Sequence, residues 1–124
     1  MGHPAFQVKT AKDGQTYFTL TAGNGEVIGK SEMYKAKDSA LNGIESVKKN
    51  APGAEADGEK NPKFETKEGA DGKTYFNLTA TNGEVILSSQ GYASRDGALN
   101  GIESVQKNAP AAEVDDQTDQ AAAA

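Results

Sequence analysis

The sequence predicts an α+β fold made of two tandem copies of one unit. Residues 40–47 recur letter for letter as residues 98–105, and 33 of the 52 positions from 4 to 55 carry the same residue 58 positions later, without a gap. Within each copy, segments with apolar residues at alternate positions precede one segment in which they recur every three or four residues. Because 124 residues are few for two independent cores, we expect the copies to share one core.

Each unit begins with two predicted strands. Phe6 and Val8 alternate with polar residues, and residues 64–67 repeat this pattern more weakly. An Asp-Gly turn follows each of these segments. Residues 16–22 then form the strand that the pattern indicates best, and this strand carries Phe18 on its apolar face.

A third strand is predicted after the Asn-Gly pairs at 24–25 and 82–83. Asn and Gly tolerate the positive φ that both central positions of a type I′ turn require, so each pair predicts a hairpin of that type. Residues 26–31 and 84–89 then complete a three-stranded antiparallel meander in each unit.

A helix is predicted after each meander. In the second copy Ser94 is a suitable N-cap for a helix that begins at Arg95. The first copy has Ala36 at the place of Ser94, so we expect Asp38 to cap a first helix that frays more.

Both helices are predicted to end at an Asn-Ala-Pro sequence, at 50–52 and at 108–110, because Pro cannot continue a helix. The segments that follow, 53–56 and 111–114, are only weakly apolar. Pattern alone does not distinguish short edge strands from coil there.

Gly43 and Gly101 lie in the middle of the predicted helices, where Gly costs roughly 0.5–1 kcal/mol relative to Ala. Some compensating gain is therefore expected in both copies. We expect the missing Cβ to let each helix approach the sheet or the other helix closely; the alternative is access of a ligand to the backbone.

The polar face of the repeated helix is the first candidate site. A polar face is free to diverge after a duplication, yet its residues are the same in both copies: Asn42, Glu45 and Ser46 in the first, and Asn100, Glu103 and Ser104 in the second. They are either solvated and capping residues or a paired recognition surface.

The second candidate site is the sheet face opposite the helices. Tyr17 and Tyr75 point away from the face that carries Phe18. Two aromatics on an open sheet face are typical of proteins that stack the bases of single-stranded nucleic acid. The same residues are also compatible with a protein contact or with plain exposure.

Composition argues against several classes of function. The chain has no Cys, and its single His, His3, lies near the N-terminus, so no thiolate site, metal-ligand set or catalytic triad can be assembled; we predict no enzyme activity, no metal and no cofactor. The net charge of −5 makes duplex nucleic acid an unfavourable partner. The sequence shows neither a signal peptide nor a membrane span, so we expect a cytoplasmic protein.

Three groups of motifs resemble the YegP-like family of small bacterial domains. They are the Asn-Gly-Glu-Val-Ile sequence, the Ser-x-x-Tyr spacing, and the sequence Leu-Asn-Gly-Ile-Glu-Ser-Val followed by Lys-Asn-Ala, each present in both copies. The resemblance covers residues 4–114 and is closer in the second copy. In the first copy Gly29-Lys30 replaces Leu87-Ser88 and Met33 replaces Gly91, so a surface site there is expected to be weaker or absent.

The resemblance implies two β-β-β-α-β units joined in one mainly antiparallel sheet with pseudo-two-fold symmetry. Their last strands are exchanged between the halves, and both helices lie on one face. The resemblance implies no known activity and no established ligand-binding residues.

These inferences predict one pseudo-dimeric domain over residues 1–114. It consists of repeat one (4–55), a linker (56–61) and repeat two (62–113), and a disordered acidic and Ala-rich tail follows at 115–124. We expect a monomer whose function is unknown, most simply a non-enzymatic protein-interaction or structural module. The alternative is binding of a small ligand or of single-stranded nucleic acid on the open sheet face.

Overall fold

The computed structural model describes residues 3–118 and contains the two predicted β-β-β-α-β units. Repeat one comprises β1 (Ala5–Thr10), β2 (Thr16–Thr21), β3 (Val27–Lys30), α1 (Lys37–Asn50) and β4 (Glu55–Ala56). Repeat two comprises β5 (Lys63–Glu68), β6 (Thr74–Thr79), β7 (Val85–Ser88), α2 (Arg95–Asn108) and β8 (Glu113–Asp116). A short 3-10 turn follows each helix at its Ala-Pro sequence.

All eight strands form one sheet in the order β4-β5-β6-β7-β3-β2-β1-β8. Neighbouring strands are antiparallel except at the two edges, where β8 pairs parallel with β1 and β4 pairs parallel with β5. Each terminal strand therefore belongs to the sheet half of the other repeat, which confirms the exchange. At the centre β3 pairs with β7 through Lys30 and Ser88, which are 58 residues apart, so the pseudo-two-fold axis (the dyad) passes between these counterparts.

The core lies between the sheet and the two helices. Four Phe side chains are fully buried, and they form two edge-to-face pairs, Phe6 with Phe18 and Phe64 with Phe76, each with ring centroids 5.7 Å apart. Each helix contacts the second strand of its own repeat and the central strand of the other repeat. The two units thus bury one continuous core, as expected from the length of the chain.

At the dyad the two repeats differ in a way that their packing explains. Leu87 is fully buried, and a Cβ added at Gly29 would lie 2.6 Å from its Cδ2 and 2.7 Å from its Cγ. The core therefore has room for one large side chain at this position. Gly29 in the first repeat makes the space that Leu87 of the second repeat fills.

The prediction of type I′ turns at the Asn-Gly pairs is wrong. Only the Gly of each pair has a positive φ, 89° at Gly25 and 86° at Gly83, whereas the Asn does not. The loop has three residues, since the Gly25 N–H donates to the Ala22 carbonyl and the Ala22 N–H donates to the Glu26 carbonyl. This arrangement is a turn closed by a single left-handed glycine.

The prediction that Asp38 caps the first helix is also wrong. Helix α1 begins at Lys37, with Ala36 in extended conformation at the N-cap position and no side-chain hydrogen bond there. In α2 the predicted cap is confirmed, because the Ser94 hydroxyl accepts a hydrogen bond from the Gly97 N–H. The first helix therefore starts at the equivalent residue without a capping side chain.

The predicted domain boundary at residue 114 lies too early. Strand β8 continues through Asp116, and the Gln117 N–H donates to the Val8 carbonyl at 2.7 Å. Likewise Ala56, placed in the linker by the sequence, belongs to β4. Backbone pairing to the outer strand of the other repeat orders these polar residues. The rest of the predicted tail, 119–124, lies outside the described residues.

Candidate functional site

The polar helix residues predicted as a site divide into two groups. Asn42 and Glu45 of α1 are exposed, as are their counterparts Asn100 and Glu103 of α2. Ser46 instead accepts hydrogen bonds from the Asn50 side-chain amide, at its carbonyl (2.8 Å) and at its hydroxyl (3.1 Å). Ser104 and Asn108 repeat this contact. The two serines therefore help to close the last turn of each helix.

The two tyrosines predicted on the open sheet face have different surroundings. The Tyr75 hydroxyl donates to the Asp71 carboxylate at 2.6 Å, and this bond raises the pKa of Tyr75 and lowers that of Asp71. A Cβ at Gly69 or at Gly91 would lie within 3 Å of the Tyr75 ring, so the ring depends on both glycines for space.

Tyr17 cannot adopt the position of Tyr75, because Ala11 and Met33 stand where repeat two has Gly69 and Gly91. It lies instead beside Lys30, whose Nζ is 5.0 Å from the ring centroid, within the range of a cation–π contact.

Tyr17 and Tyr75 also lie far apart. One row of polar residues crosses this face through the pairs of neighbouring strands: Gln7, Thr19, Lys30, Ser88, Asn77 and Glu65. Tyr17 of β2 lies two residues to one side of this row, and Tyr75 of β6 lies two residues to the other side. Strands β2 and β6 are three strand spacings apart, because β3 and β7 lie between them. At about 4.8 Å per spacing and about 3.3 Å per residue, their Cα atoms are about 20 Å apart. They cannot hold one small ligand between them.

The mid-helix glycines make room for a second pair of tyrosines, Tyr34 and Tyr92. A Cβ at Gly43 would lie 2.4 Å from the Tyr34 hydroxyl oxygen, and one at Gly101 would lie 2.4 Å from that of Tyr92. The Tyr34 ring stacks on Phe18 with centroids 6.2 Å apart, and Tyr92 packs equivalently. The glycines were expected to admit the sheet or the other helix. What they admit is a tyrosine of the same repeat, with Phe18 or Phe76 of the sheet as the next nearest side chain.

Each of these tyrosines lines a cleft at the junction of the two repeats. The Tyr92 cleft has a volume of about 380 Å³ and is lined by Glu26, Val27 and Ile28 of repeat one and, from repeat two, by residues that include Tyr92, Asn100 and Ser104. Two of the predicted helix residues, Asn100 and Ser104, thus lie on this cleft. Its size is within the range of small-ligand and side-chain pockets.

The Tyr34 cleft is the counterpart across the dyad. It has a volume of about 410 Å³ and is lined by Glu32, Met33 and Tyr34 of repeat one and by Glu84, Val85 and Ile86 of repeat two. Each of these six residues is 58 positions from a residue that lines the Tyr92 cleft. The fold therefore builds two related clefts, and each one needs both repeats.

Carboxylate groups give both clefts a negative charge. Burial, followed by the charges of Glu32 and Glu84, raises the pKa of Tyr34. Burial and the charge of Glu26 raise the pKa of Tyr92. Both phenols therefore stay neutral and able to donate a hydrogen bond, each close to a carboxylate that belongs to the other repeat.

Sequence reasoning missed the clefts, although a signal was present. Tyr34 and Tyr92 entered the sequence motifs only through the Ser-x-x-Tyr spacing, and Glu26 and Glu84 only through the Asn-Gly-Glu-Val-Ile sequence. All four are the same in both copies. Their relation becomes visible only when β3 and β7 are placed side by side.

Between residues 3 and 118 no group of three or more His, Asp or Glu side chains is arranged to hold a metal ion. Over the same range, no helix has the length and apolar character needed to cross a membrane.

Comparison with known proteins gives the family. The model of a domain of unknown function, DUF1508, matches twice, at residues 11–57 and 70–116. The UPF0339 protein PA0329 of Pseudomonas aeruginosa is 49% identical over 113 residues, which are 91% of this chain and 96% of that protein. The UPF0339 protein YegP of Escherichia coli is 42% identical over 113 residues, with the same two shares covered.

Two solved structures have the same fold. The solution NMR structure of the E. coli protein yegP, described as of unknown function, matches with a TM-score of 0.82 at 39% identity, over 96% of this chain and 97% of that one. The solution NMR structure of the UPF0339 protein SO3888 of Shewanella oneidensis matches with a TM-score of 0.81 at 37% identity, over 93% of this chain and 92% of that one. The chain therefore belongs to the YegP-like DUF1508 family, as a tandem member whose two repeats share one sheet.

Proposed function

We propose that this protein is a non-enzymatic, cytoplasmic interaction module that binds a partner protein through the Tyr34 and Tyr92 clefts. The observation that carries the proposal is the pair of related clefts, each made from both repeats and each combining a phenol, a carboxylate and apolar strand residues. Two similar clefts on opposite sides of a dyad suit a partner surface or peptide that inserts one side chain into each.

The chemistry of the clefts favours binding over catalysis. The raised pKa of Tyr34 and of Tyr92 keeps both phenols protonated near neutral pH, so neither is a ready base or nucleophile. The described lining residues of the two clefts include no His and no Lys. Fixed hydrogen-bonding groups without an activated nucleophile are typical of recognition sites.

The remaining surface favours localised contacts over a broad apolar interface. Among residues 3–118, the exposed large hydrophobic side chains are Met33 and Val114, each 44% exposed, and they belong to different elements. An obligate apolar interface needs a larger continuous patch. A partner that inserts side chains into small polar clefts needs none.

The test is affinity capture of a partner by the full chain, followed by cross-linking to map where that partner sits. The cleft variant is Glu26→Gln with Glu84→Gln, and the matched control is Glu45→Gln with Glu103→Gln. Both variants remove two exposed carboxylates, the former in the clefts and the latter on the helices. We expect the cleft variant to lose the partner and the control to keep it. Loss in the helix variant alone would assign binding to the helix face and reject the clefts.

A second candidate function is binding of single-stranded nucleic acid on the open sheet face. The observation that favours it is Lys30 beside Tyr17, since a cation next to an aromatic ring is a common element of such surfaces. Titration with a short single-stranded oligonucleotide, followed by tyrosine fluorescence, tests this candidate. Binding that is lost in both Tyr17→Ala and Lys30→Ala would favour it over the clefts.

A further inference from the structure

The two clefts differ in one hydrogen bond, which is present in the Tyr92 cleft and has no counterpart in the Tyr34 cleft. In the Tyr92 cleft the Gln90 side-chain amide donates to the Val27 carbonyl at 2.6 Å and so bridges the two repeats. This cleft therefore contains a donor supplied by the chain itself, placed on a backbone carbonyl of the other repeat.

The Tyr34 cleft has an acceptor where the other cleft has this donor. Glu32 is the counterpart of Gln90, and Val85 is the counterpart of Val27. A carboxylate cannot donate, and no side chain among residues 3–118 donates to the Val85 carbonyl. Nor does any Lys or Arg in this range form an ion pair with Glu32 or Glu84. The cleft thus presents the Val85 carbonyl and the Glu32 carboxylate, neither of which accepts a side-chain hydrogen bond within residues 3–118. It also presents the Glu84 carboxylate, which accepts one hydrogen bond, from the Asn82 side-chain amide at 3.0 Å, and keeps its other oxygen available.

The other lining residues define the shape of a complementary group. Met33, 44% exposed, and Ile86 supply apolar surface, and the Tyr34 ring is held in place by its stacking on Phe18. A group with an apolar stem and a cationic head carrying several donors would fit. Guanidinium meets this description better than ammonium, because its planar head offers five N–H donors that can serve separate acceptors at once.

We propose that the Tyr34 cleft binds the guanidinium group of an arginine side chain of the partner protein, in the place that corresponds to the Gln90 amide in the Tyr92 cleft. The inference rests on the proposed function and specifies its partner. The Tyr92 cleft, which holds its own amide donor and has a neutral Gln90 in place of Glu32, is expected to bind arginine much more weakly. The two clefts therefore have different specificities despite their common origin.

The test is a titration of the full chain with N-acetyl-arginine N-methylamide. Binding is detected from the NMR chemical shifts of the backbone amides. The control ligand is N-acetyl-citrulline N-methylamide, which has nearly the same shape but no charge. We expect saturable shifts confined to the residues around the Tyr34 cleft and at least tenfold weaker binding of the citrulline compound. Equal binding of both compounds, or shifts centred elsewhere, would overturn the inference.

A reciprocal pair of variants provides the second arm. Glu32→Gln gives the Tyr34 cleft the residue that the Tyr92 cleft has at this position, and it is expected to weaken arginine binding at least tenfold. Gln90→Glu makes the opposite change and is expected to create a second arginine site at the Tyr92 cleft. Both positions are exposed, so neither change disturbs the core, and an otherwise unchanged spectrum verifies the fold. Unaltered arginine affinity in Glu32→Gln would reject the assignment.

The result also separates this inference from the proposed function. A captured partner that needs the clefts, combined with no preference for arginine over citrulline, would leave the interaction module standing and reject the guanidinium assignment. Arginine binding at the Tyr34 cleft, combined with a partner that is indifferent to both clefts, would show that the cleft binds guanidinium but would reject the docking role and, with it, the assignment of this group to the partner.

Discussion

Exchanging Gly29 and Leu87 tests whether the asymmetry at the dyad is a packing requirement. The Leu87 side chain is fully buried, and a Cβ at Gly29 would already lie 2.6 Å from it. Gly29→Leu therefore forces a second large side chain into occupied space, and overpacking of this kind costs about 1–3 kcal/mol. Leu87→Gly leaves a cavity that costs about 2–5 kcal/mol, with up to about 1 kcal/mol more for Gly within a strand.

The double variant, Gly29→Leu with Leu87→Gly, again places one leucine and one glycine at the dyad. Because the two positions are pseudo-equivalent, the exchanged Leu enters the same space from the other strand. Volume-conserving exchanges in a core usually cost less than about 1.5 kcal/mol. The two single losses sum to at least about 3 kcal/mol, so we expect a coupling energy of at least about 1.5 kcal/mol in a double-mutant cycle.

Urea unfolding followed by circular dichroism provides the free energy of unfolding of all four proteins. Tyrosine fluorescence gives an independent second probe, since the chain has four Tyr and no Trp. Coincident transitions would support the two-state treatment that the cycle requires. A double variant that loses the full sum of the single losses would show that the two positions do not share one space, and the packing argument would be refuted.

Three further predictions concern stability. Gly101→Ala should destabilise the protein, because the added Cβ clashes with the Tyr92 hydroxyl (2.4 Å) at a cost of about 1–3 kcal/mol, against a gain in helix propensity of up to about 1 kcal/mol. Tyr92→Phe should relieve part of the loss, and a urea midpoint above that of the parent would reject this account. Ala36→Ser should add about 1 kcal/mol to the free energy of unfolding by supplying the missing cap, and Ser94→Ala should remove a similar amount; equal stability of all three proteins in urea would show that caps are unimportant here. Hydrogen bonds from Lys37 and from a neighbouring threonine hold the pKa of Asp116 at about 2, below its ordinary 3.8, so its contribution is complete above about pH 4 and is lost as the pH falls toward 2. Urea midpoints between pH 2 and 5 should therefore fall less steeply for Asp116→Asn than for the parent, and parallel curves would contradict the assignment.

Most of the fold could be predicted because the repeat doubles every signal. The alternation around Phe18 and the helical spacing around Ile44 both recur 58 residues later, so each element was predicted twice. The structure confirms the predicted order of the elements. Local details were less accessible. Asn24 is compatible with a type I′ turn, but the residue before it joins the loop, which leaves Gly25 alone in the left-handed region. Helix α1 starts where α2 starts, since shared packing fixes the first turn even without a cap.

The exchanged strands could not be derived from the pattern of apolar residues. All four residues of β8 and both of β4 are exposed, so hydrophobic alternation carries no information about them. Backbone hydrogen bonds hold these strands, as in the donation from Glu113 to the Pro4 carbonyl, and any residue other than proline can make such bonds. Their position was known beforehand only from the family resemblance.

The clefts were beyond sequence reasoning for a different physical reason. A helical wheel or a strand pattern compares residues of one element, whereas the field at Tyr34 comes partly from Glu84, fifty positions away and in the other repeat. That proximity follows from the pairing of β3 with β7, which nothing in either repeat alone specifies. The open-face hypothesis failed to bring Tyr17 and Tyr75 together for the same reason, since their separation is set by how the halves join.

Two of the departures from identity near the dyad depend on the fusion of the repeats. In a symmetric dimer of one repeat, any residue at the position of Gly29 or Leu87 would meet its own copy, so a large side chain would face another and a glycine would leave a void. A tandem chain removes this constraint, because each of the paired positions can carry a different residue. The same freedom allows Glu32 in one cleft and Gln90 in the other. Fusion of the repeats thus permits both a better-filled core and two clefts of different specificity, neither of which a strictly symmetric assembly can have.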